Sequence, residues 1–187
     1  MTMIRKEMTK DIPAREALVE RAFGDARFAK AAERLREGRM PAHGLSFVAT
    51  EKNRVVGTVR LWHVSAGPAR PALLLGPLAV DDAWRGLGIG AALMRRATEA
   101  AHRLGHKAIL LVGDAAYYSR FGFSVEKTAA LWMPGPYERE RLLARELVPG
   151  ALDGARGLIS ATGEKALIPD LATLIAGLAR TDAAHAA

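Results

Sequence analysis

The sequence predicts a mixed α/β (α+β) fold, in which a mostly antiparallel sheet contains one parallel pair of strands and is flanked by helices. Residues 45–80 hold three segments with strand-like patterns, and the connections between them are too short for parallel crossovers. Residues 72–112 combine a strand, a helix and a second strand, which predicts two parallel neighbours in one sheet. With 187 residues, half of them apolar, the chain can bury a sizeable core.

The N-terminal part is predicted to contain one strand and two helices. Residues 3–7 can form the strand. Asp11 can cap a first helix that ends near Phe23, and Asp25 can cap a second helix that ends near Glu37. A glycine follows each of these segments, as is common where helices end.

The antiparallel meander is expected to have strands at residues 45–51, 55–64 and 70–80. The dipeptide at 52–53 is suited to the tight turn between the first two strands. The Gly76-Pro77 pair interrupts the third, because proline cannot donate a hydrogen bond to a sheet and glycine weakens a strand interior. The pair indicates either a bulge or edge position, or the end of the strand with a turn.

The second half of the domain begins with a helix and a buried strand. Apolar residues recur at helical spacing within residues 89–104. The short apolar segment 107–112 is typical of a strand covered on both faces. Residues 114–120 are expected to form a turn or short helix, and residues 123–128 and 142–148 are further strand candidates.

The composition changes toward alanine and glycine near residue 150. We therefore assign residues 1–150 to the domain and residues 151–187 to a C-terminal extension. Pro169 and Asp170 can begin a helix in this extension, and its apolar residues share one face: Leu171, Leu174, Ile175 and Leu178. That face would dock on the domain or on a second copy in a homodimer, and the last residues are expected to fray.

Composition and charge exclude several classes of function. The chain has no cysteine, so disulfides, thiolate metal sites and a cysteine nucleophile are excluded, and we expect no metal. No apolar run approaches the roughly 20 residues that span a bilayer, and the first residues do not resemble a signal peptide. We expect a soluble cytoplasmic protein with no membrane partner. The net charge of +7 favours anionic partners, but the basic residues are scattered, which argues against a nucleic-acid site.

The turn at residues 85–90, Arg-Gly-Leu-Gly-Ile-Gly, lies between a predicted strand and a predicted helix. Glycines at 86, 88 and 90 leave backbone N–H groups uncovered, so an anion can approach them closely. The N-terminus of the following helix adds the positive end of its dipole at the same place. The turn therefore predicts a cradle for a phosphate or pyrophosphate.

The same glycines also fit the dinucleotide fingerprint G-x-G-x-x-G/A, with Ala91 at its last position. Asp114, about 23 residues further on, lies near where that fold places a ribose-binding acid. Residues 81–85 separate the turn from its strand, however, and no second βαβ half follows. These features favour a different nucleotide-bearing ligand over a dinucleotide.

The motif Arg-x-x-Gly-x-Gly resembles the acetyl-CoA-binding signature of the GNAT superfamily of N-acetyltransferases, and residues 78–90 and 117–123 are similar to its YhbS-like branch. The resemblance implies the GNAT fold, whose fourth and fifth strands splay apart at a bulge and hold the acyl-pantetheine arm of acetyl-CoA. It implies that an amide of Val80 or a close neighbour stabilises the thioester oxyanion. It also implies a set of CoA-binding residues: Leu78, Ala79 and Val80 for the pantetheine, and Arg85, Gly86, Leu87, Gly88, Ile89 and Gly90 for the pyrophosphate.

Tyr118 matches the tyrosine of the family pattern Tyr-x-x-x-Gly-Phe. The resemblance implies that its phenol donates a proton to the departing CoA thiolate. The alternative is a half-buried aromatic residue with a packing role, and Tyr117 is a less favoured acid. Asp114 stands where many members of the family carry asparagine, and it can either cap the next turn or bind CoA through water.

The catalytic base cannot be assigned from the sequence. Residues 72–80 contain no carboxylate, so His63, His43 or a water-mediated route remains. The loop at 133–137 can border the acceptor site or serve a structural role. The sequence thus predicts acetyl transfer from acetyl-CoA to a primary amine of a small molecule or peptide, by direct attack in a ternary complex. The alternative is a non-catalytic acyl-CoA-binding sensor.

Overall fold

The computed structural model describes residues 2–167, which form a sheet with helices on both faces. The strands in this part of the chain are β1 (Met3–Lys6), β2 (Ser46–Glu51), β3 (Arg54–Ala66), β4 (Pro71–Val80), β5 (Ala108–Val112), β6 (Leu131–Trp132), β7 (Leu142–Glu146) and β8 (Gly157–Ala161). The α-helices are α1 (Ile12–Phe23), α2 (Ala31–Arg34), α3 (Ile89–Arg103) and α4 (Ala115–Tyr118). Short 3₁₀ turns lie at Thr9–Asp11, Asp25–Ala29, Asp82–Trp84, Ser119–Phe121 and Arg139–Arg141.

The sheet confirms the predicted fold class. Its strand order is β1-β2-β3-β4-β5-β7; β4 and β5 are parallel, and the other neighbours along this path are antiparallel. The hairpin between β2 and β3 turns at Lys52 and Asn53, whose φ angles are 46° and 65°. Positive φ at both central residues is the geometry of a type I′ turn, which matches the twist of the strands it joins.

The two faces of the sheet carry different helices. Helix α3 packs Leu93, Met94 and Ala97 against one face, where they contact Phe47, Leu61 and Leu73 among other buried residues. Helix α1 packs Leu18 and Val19 against the opposite face, beside Val48, Val55 and Ala79. This arrangement leaves the C-terminal end of β4 between α1 and the start of α3. The candidate site described below is formed at that end.

The predicted second helix is wrong as one continuous element. A 3₁₀ turn covers Asp25–Ala29, the chain is extended at Lys30 (φ −75°, ψ 138°), and α2 spans only four residues. The break allows Ala31 and Leu35 to enter a buried cluster with Trp62. Tertiary packing therefore overrides the helical propensity of this segment.

Two other differences concern the C-terminal part of the sheet. The strand candidate at 123–128 reduces to a single bridge between Ser124 and Ala144. Strand β8, which the sequence analysis did not predict, pairs with the end of β3 and with β6. The sheet therefore continues beyond residue 150, where the domain was expected to end. The helix predicted from Pro169 lies outside the described residues.

The helices of residues 2–167 are all too short or too polar to cross a lipid bilayer.

Candidate active site

Strand β4 contains a bulge at the Gly76-Pro77 pair. Leu75 faces Leu61 and Leu78 faces Val59, so two residues of β4 lie opposite the single residue Arg60 of β3. This confirms the predicted bulge. The indole Nε1 of Trp62 donates a hydrogen bond of 2.6 Å to the carbonyl oxygen of Gly76 and fixes the bulge from the α1 side of the sheet.

Strands β4 and β5 separate before the bulge. In the described structure their ladder joins Leu73 to Ile109 and Leu74 to Leu110, and it ends there. The remainder of β4 therefore has β3 on one edge and an open cleft on the other. This is the splayed arrangement that the sequence analysis expected.

The backbone groups of β4 beyond the bulge face this cleft at alternate residues. The amide of Asp81 donates to the carbonyl of Val56 at 2.9 Å, on the β3 side, and Val80 lies opposite Gly57. Because successive N–H groups of a strand point to opposite edges, the N–H groups of Leu78 and Val80 point away from β3. They are free to pair with an extended ligand in the cleft.

The glycine turn joins this cleft to the start of α3. Gly86 and Gly88 have φ angles of 80° and 76°, in the left-handed region that favours glycine. Gly88 is the N-cap of α3 and makes no side-chain cap hydrogen bond, so the first-turn amides of the helix point outward without a side-chain acceptor. Leu87 at the tip is largely exposed. Arg85 pairs with Asp82 at 2.9 Å, and both side chains are mostly exposed.

A cavity of about 480 Å³, which we call the turn cavity, opens beside the glycine turn. Its lining contains nearly all the predicted CoA-binding residues: Leu78, Ala79, Val80, Arg85, Gly86, Gly88, Ile89 and Gly90. Leu87 and Asp114 are predicted CoA contacts outside this lining. Gly90 lies against Tyr117 in this lining, since a Cβ at position 90 would lie 3.0 Å from the Tyr117 hydroxyl oxygen.

Arg120 also lines the turn cavity, and the sequence analysis missed it. Its guanidinium lies 4.3 Å from the centroid of the Tyr117 ring, and its Nε donates to the Tyr117 carbonyl at 2.9 Å. The stacking fixes a cation in the lining of the cavity that the glycine turn also lines. The residue is basic and exposed, and it occupies an unspecified position of the Tyr-x-x-x-Gly-Phe pattern, so the pattern gave it no role.

A second cavity of about 810 Å³, the tyrosine cavity, lies on the other side of Leu78. Tyr117, Tyr118 and Tyr137 line it, and it shares Phe23, Leu78, Arg85 and Tyr117 with the turn cavity. The two cavities therefore adjoin along the β4 edge. Pro136, Tyr137 and Glu138 line the tyrosine cavity, so the loop at 133–137 borders it.

Tyr118 is held against the backbone of Gly113. A Cβ on Gly113 would lie 2.2 Å from Cε2 of the tyrosine ring, so the ring occupies the space that any side chain at 113 would need. Burial raises the pKa of Tyr118 to about 12, and Tyr117 contributes in the same direction, whereas Arg141 acts against the shift. The phenol is therefore fully protonated at neutral pH.

Asp114 caps α4, as one of the two alternatives predicted. Its Oδ1 accepts a hydrogen bond of 3.2 Å from the amide of Ala116, and its carbonyl accepts one of 3.0 Å from the amide of Tyr118. The aspartate thus positions the tyrosine turn. It also lines the tyrosine cavity.

The histidines considered as bases do not reach either cavity. His63 lies 5.3 Å from His106 between ring centroids, and both line a separate cavity of about 410 Å³. His43 is exposed and lies outside the residues that line the two cavities at the β4 edge. Neither histidine lines the space beside Tyr118, so the geometry gives no support to either as the base.

Comparison with known proteins identifies the family. Residues 42–125 match the model of the acetyltransferase (GNAT) domain. The chain is 33% identical to the Escherichia coli N-acetyltransferase YhbS over 159 residues, which cover 84% of this chain and 94% of YhbS. The chain belongs to the GNAT acetyltransferase family. This confirms the family and the branch that the motifs at 85–90 and 117–123 indicated.

Solved structures of GNAT proteins share this fold. The crystal structure of Escherichia coli YhbS in complex with CoA matches with a TM-score of 0.72 at 32% identity, covering 86% of this chain and 89% of that one. A GNAT acetyltransferase from Brucella melitensis in complex with acetyl-CoA matches with a TM-score of 0.57 at 28% identity, covering 82% and 99%.

Proposed function

We propose that this GNAT protein is an N-acetyltransferase that moves the acetyl group of acetyl-CoA to a primary amine of a small molecule or peptide. Attack would be direct, within a ternary complex. The observation that carries the proposal is the adjacency of the two cavities along the open edge of β4, with the glycine turn at one end and Tyr118 at the other. The relatives solved with CoA and acetyl-CoA support acetyl-CoA as the donor.

Acetyl-CoA would lie along the β4 edge. Its pyrophosphate would accept hydrogen bonds from the outward-pointing amides at residues 86–90, where the α3 dipole also favours negative charge. Arg85 and Arg120 would add positive charge beside the phosphates. The pantetheine arm would then pair with the free backbone groups of Leu78 and Val80 in the cleft.

Leu78 is the better donor for the thioester oxyanion than Val80. Leu78 lines both cavities, whereas Val80 lines the turn cavity and is absent from the lining of the tyrosine cavity. The thioester must lie near Tyr118, so the Leu78 amide is the one within reach of its carbonyl oxygen. One preorganised donor of this kind typically lowers a barrier by about 3 kcal/mol.

The reaction then needs two proton movements. The neutral amine attacks the thioester carbon, and a tetrahedral intermediate forms with a cationic nitrogen and an oxyanion. Collapse breaks the carbon–sulfur bond and releases the CoA thiolate, to which the Tyr118 phenol donates. The nitrogen loses its proton through water, and that proton restores the Tyr118 phenol once the phenol has protonated the thiolate. The amide product and CoA thiol then leave.

The raised pKa of Tyr118 shapes its part in this step. A thiol has a free pKa of about 8.5, so full transfer from a phenol of pKa about 12 is uphill by about 5 kcal/mol. The Tyr118 phenol therefore first donates a hydrogen bond to the developing thiolate. The net source of the proton on the CoA thiol is the amine nitrogen, which is the stronger acid. Tyr118 stays protonated throughout the neutral range and is always ready to donate.

The reaction can be followed by the release of CoA thiol. Because the chain has no cysteine, a thiol reagent detects CoA without a background from the protein. We expect turnover on a panel of amines, and a loss of roughly 10²- to 10⁴-fold in kcat for Tyr118→Phe with CoA affinity retained. Undiminished kcat in Tyr118→Phe would remove the acid role. Tight CoA binding without turnover of any amine would favour the sensor alternative.

A further inference from the structure

One wall of the tyrosine cavity is strongly basic. The segment at 27–36, which contains α2 and ends two residues beyond it, contributes Arg27, Lys30 and Arg36 to this wall. Glu33 is the carboxylate that the same segment adds, and Asp114 and Glu138 line the cavity from other elements. None of Arg27, Lys30 and Arg36 belongs to the lining of the turn cavity. These cations are therefore not placed to hold the phosphates of CoA at the glycine turn.

Arg36 is fixed and largely removed from solvent. Its Nε donates to the carbonyl of Ala32 at 3.1 Å, and its side chain is 12% exposed. Its guanidinium nitrogen lies 3.5 Å from the Glu33 carboxylate, an ion pair at the long limit of hydrogen bonding. The guanidinium is thus held in a set orientation by the helix, and its contact with Glu33 leaves capacity for a second anion.

Arg27 brings a second positive charge close to the first. Its guanidinium pairs with Glu16 at 3.7 Å, and its side chain is 19% exposed. Burial lowers the pKa of Arg36, Glu33 partly offsets this, and the nearby charge of Arg27 lowers the pKa again. Two half-buried guanidinium groups that repel each other at the wall of a cavity are stabilised when an anion binds between them.

Helix α2 and the loop at 133–137 are in contact with each other at the border of the tyrosine cavity. Arg34 of α2 donates to the carbonyl of Pro134 at 3.0 Å, so α2 contacts the loop at 133–137 that borders the same cavity. Tyr137 and Phe23 supply apolar and aromatic surface to its lining. A bordered space of this kind suits a small molecule with an apolar body better than a protein chain.

We propose that the acceptor is a small amine that carries a carboxylate, which Arg36 and Arg27 bind while the amine points toward Leu78 and Tyr118. This inference rests on the proposed acetyl transfer and names the substrate class for the same site. A guanidinium binds a carboxylate through two parallel hydrogen bonds, which fixes orientation as well as affinity. The wall therefore selects acidic amines, and amino acids are the simplest members of that class.

The test compares each amino acid with a compound of the same size in which an uncharged carboxamide replaces the carboxylate. Wild-type protein is assayed by thiol release with α-amino acids, β-alanine and 4-aminobutyrate, each beside its carboxamide. We expect at least one pair in which the free acid has a kcat/KM roughly 10- to 100-fold above the carboxamide, mainly through KM. Carboxamides that match or exceed their acids throughout would overturn the inference. So would acceptance of phosphoethanolamine or glucosamine 6-phosphate with rejection of every carboxylate.

Variants link the preference to the wall. Arg36→Gln and Arg27→Gln should each reduce the ratio of kcat/KM for the free acid to kcat/KM for its carboxamide. Arg36→Lys should give an intermediate ratio, because it keeps the charge but loses the paired donors. Arg21→Gln is the matched control, since Arg21 lies on α1 with an exposed side chain and outside the cavity lining. A ratio unchanged in both glutamine variants would contradict the assignment.

The same assay separates this inference from the function on which it rests. Turnover of neutral amines without any preference for acids would refute the acidic acceptor and leave the acetyltransferase intact. Failure of every amine would refute the proposed acetyl transfer itself. Thermal unfolding and CoA titration of each variant identify any that fail to fold, and Arg27→Gln and Arg36→Lys then carry the test in place of Arg36→Gln.

Discussion

Replacing Gly113 by alanine should displace the Tyr118 phenol and reduce catalysis without removing any polar group from the tyrosine cavity, which Gly113 also lines. The new Cβ would lie 2.2 Å from Cε2 of the tyrosine ring, whereas carbon atoms pack at about 3.5 Å or more. The ring must therefore move by about 1.3 Å. A misplacement of about 1 Å can cost roughly 10²-fold in rate, so we expect kcat to fall by that order while KM for acetyl-CoA changes little.

A double-mutant cycle decides whether the loss passes through Tyr118. The assay is CoA thiol release by the wild type, Gly113→Ala, Tyr118→Phe and the double variant. We expect the double variant to match Tyr118→Phe, because a phenylalanine has no hydroxyl to misplace. An equal further loss from Gly113→Ala in the Tyr118→Phe background would refute the reasoning.

Stability must be measured beside activity in this series, since crowding a packed site costs about 1–3 kcal/mol of unfolding free energy. Gly163→Ala is a suitable control. Gly163 has ordinary backbone geometry, and a Cβ there would meet its nearest neighbour at 3.4 Å, compared with 2.2 Å at Gly113. The control should keep both its melting temperature and its kcat.

Three further predictions concern the donor site and the phenol. Gly88→Ala forces a left-handed φ on alanine, at about 1–2 kcal/mol, and should raise KM for acetyl-CoA roughly 10-fold in steady-state assays. Arg120→Gln should weaken CoA binding several-fold by titration calorimetry, and the difference from wild type should shrink at high salt. Because the pKa of Tyr118 is raised to about 12, its phenol stays protonated below that pH. The pH–rate profile should therefore rise as the acceptor amine loses its proton, with no decline up to about pH 10; an alkaline decline centred near pH 9 would contradict the protonated phenol.

The parts of the fold that the sequence predicted are those with local causes. The turn at 52–53 follows from two residues that tolerate positive φ, and the bulge follows from the Gly76-Pro77 pair itself. The glycine turn can likewise be predicted, because Gly86 and Gly88 occupy positions with left-handed φ angles, which favour glycine. Each of these features is determined by residues that adjoin one another along the chain, so pattern alone identifies it.

The parts that the sequence missed depend on contacts distant along the chain. The segment at 25–37 breaks because Ala31 and Leu35 pack against Trp62, which lies on another element. Gly113 has an ordinary backbone conformation, and its importance arises only from the position of the Tyr118 ring. The cations of the basic wall lie within residues 27–36, but only folding brings that segment to the cavity of Tyr118, so the sequence alone gave them no role.

The proposed position of CoA along the β4 edge can be tested by titrating ¹⁵N-labelled protein with CoA and following the backbone amide chemical shifts. We expect the largest changes at Gly88, Ile89 and Gly90 and at Leu78 and Val80, where free amides line the path from the glycine turn into the cleft. Unchanged shifts at these amides, with changes centred instead on the separate cavity beside residues 105–107, would contradict the proposed position.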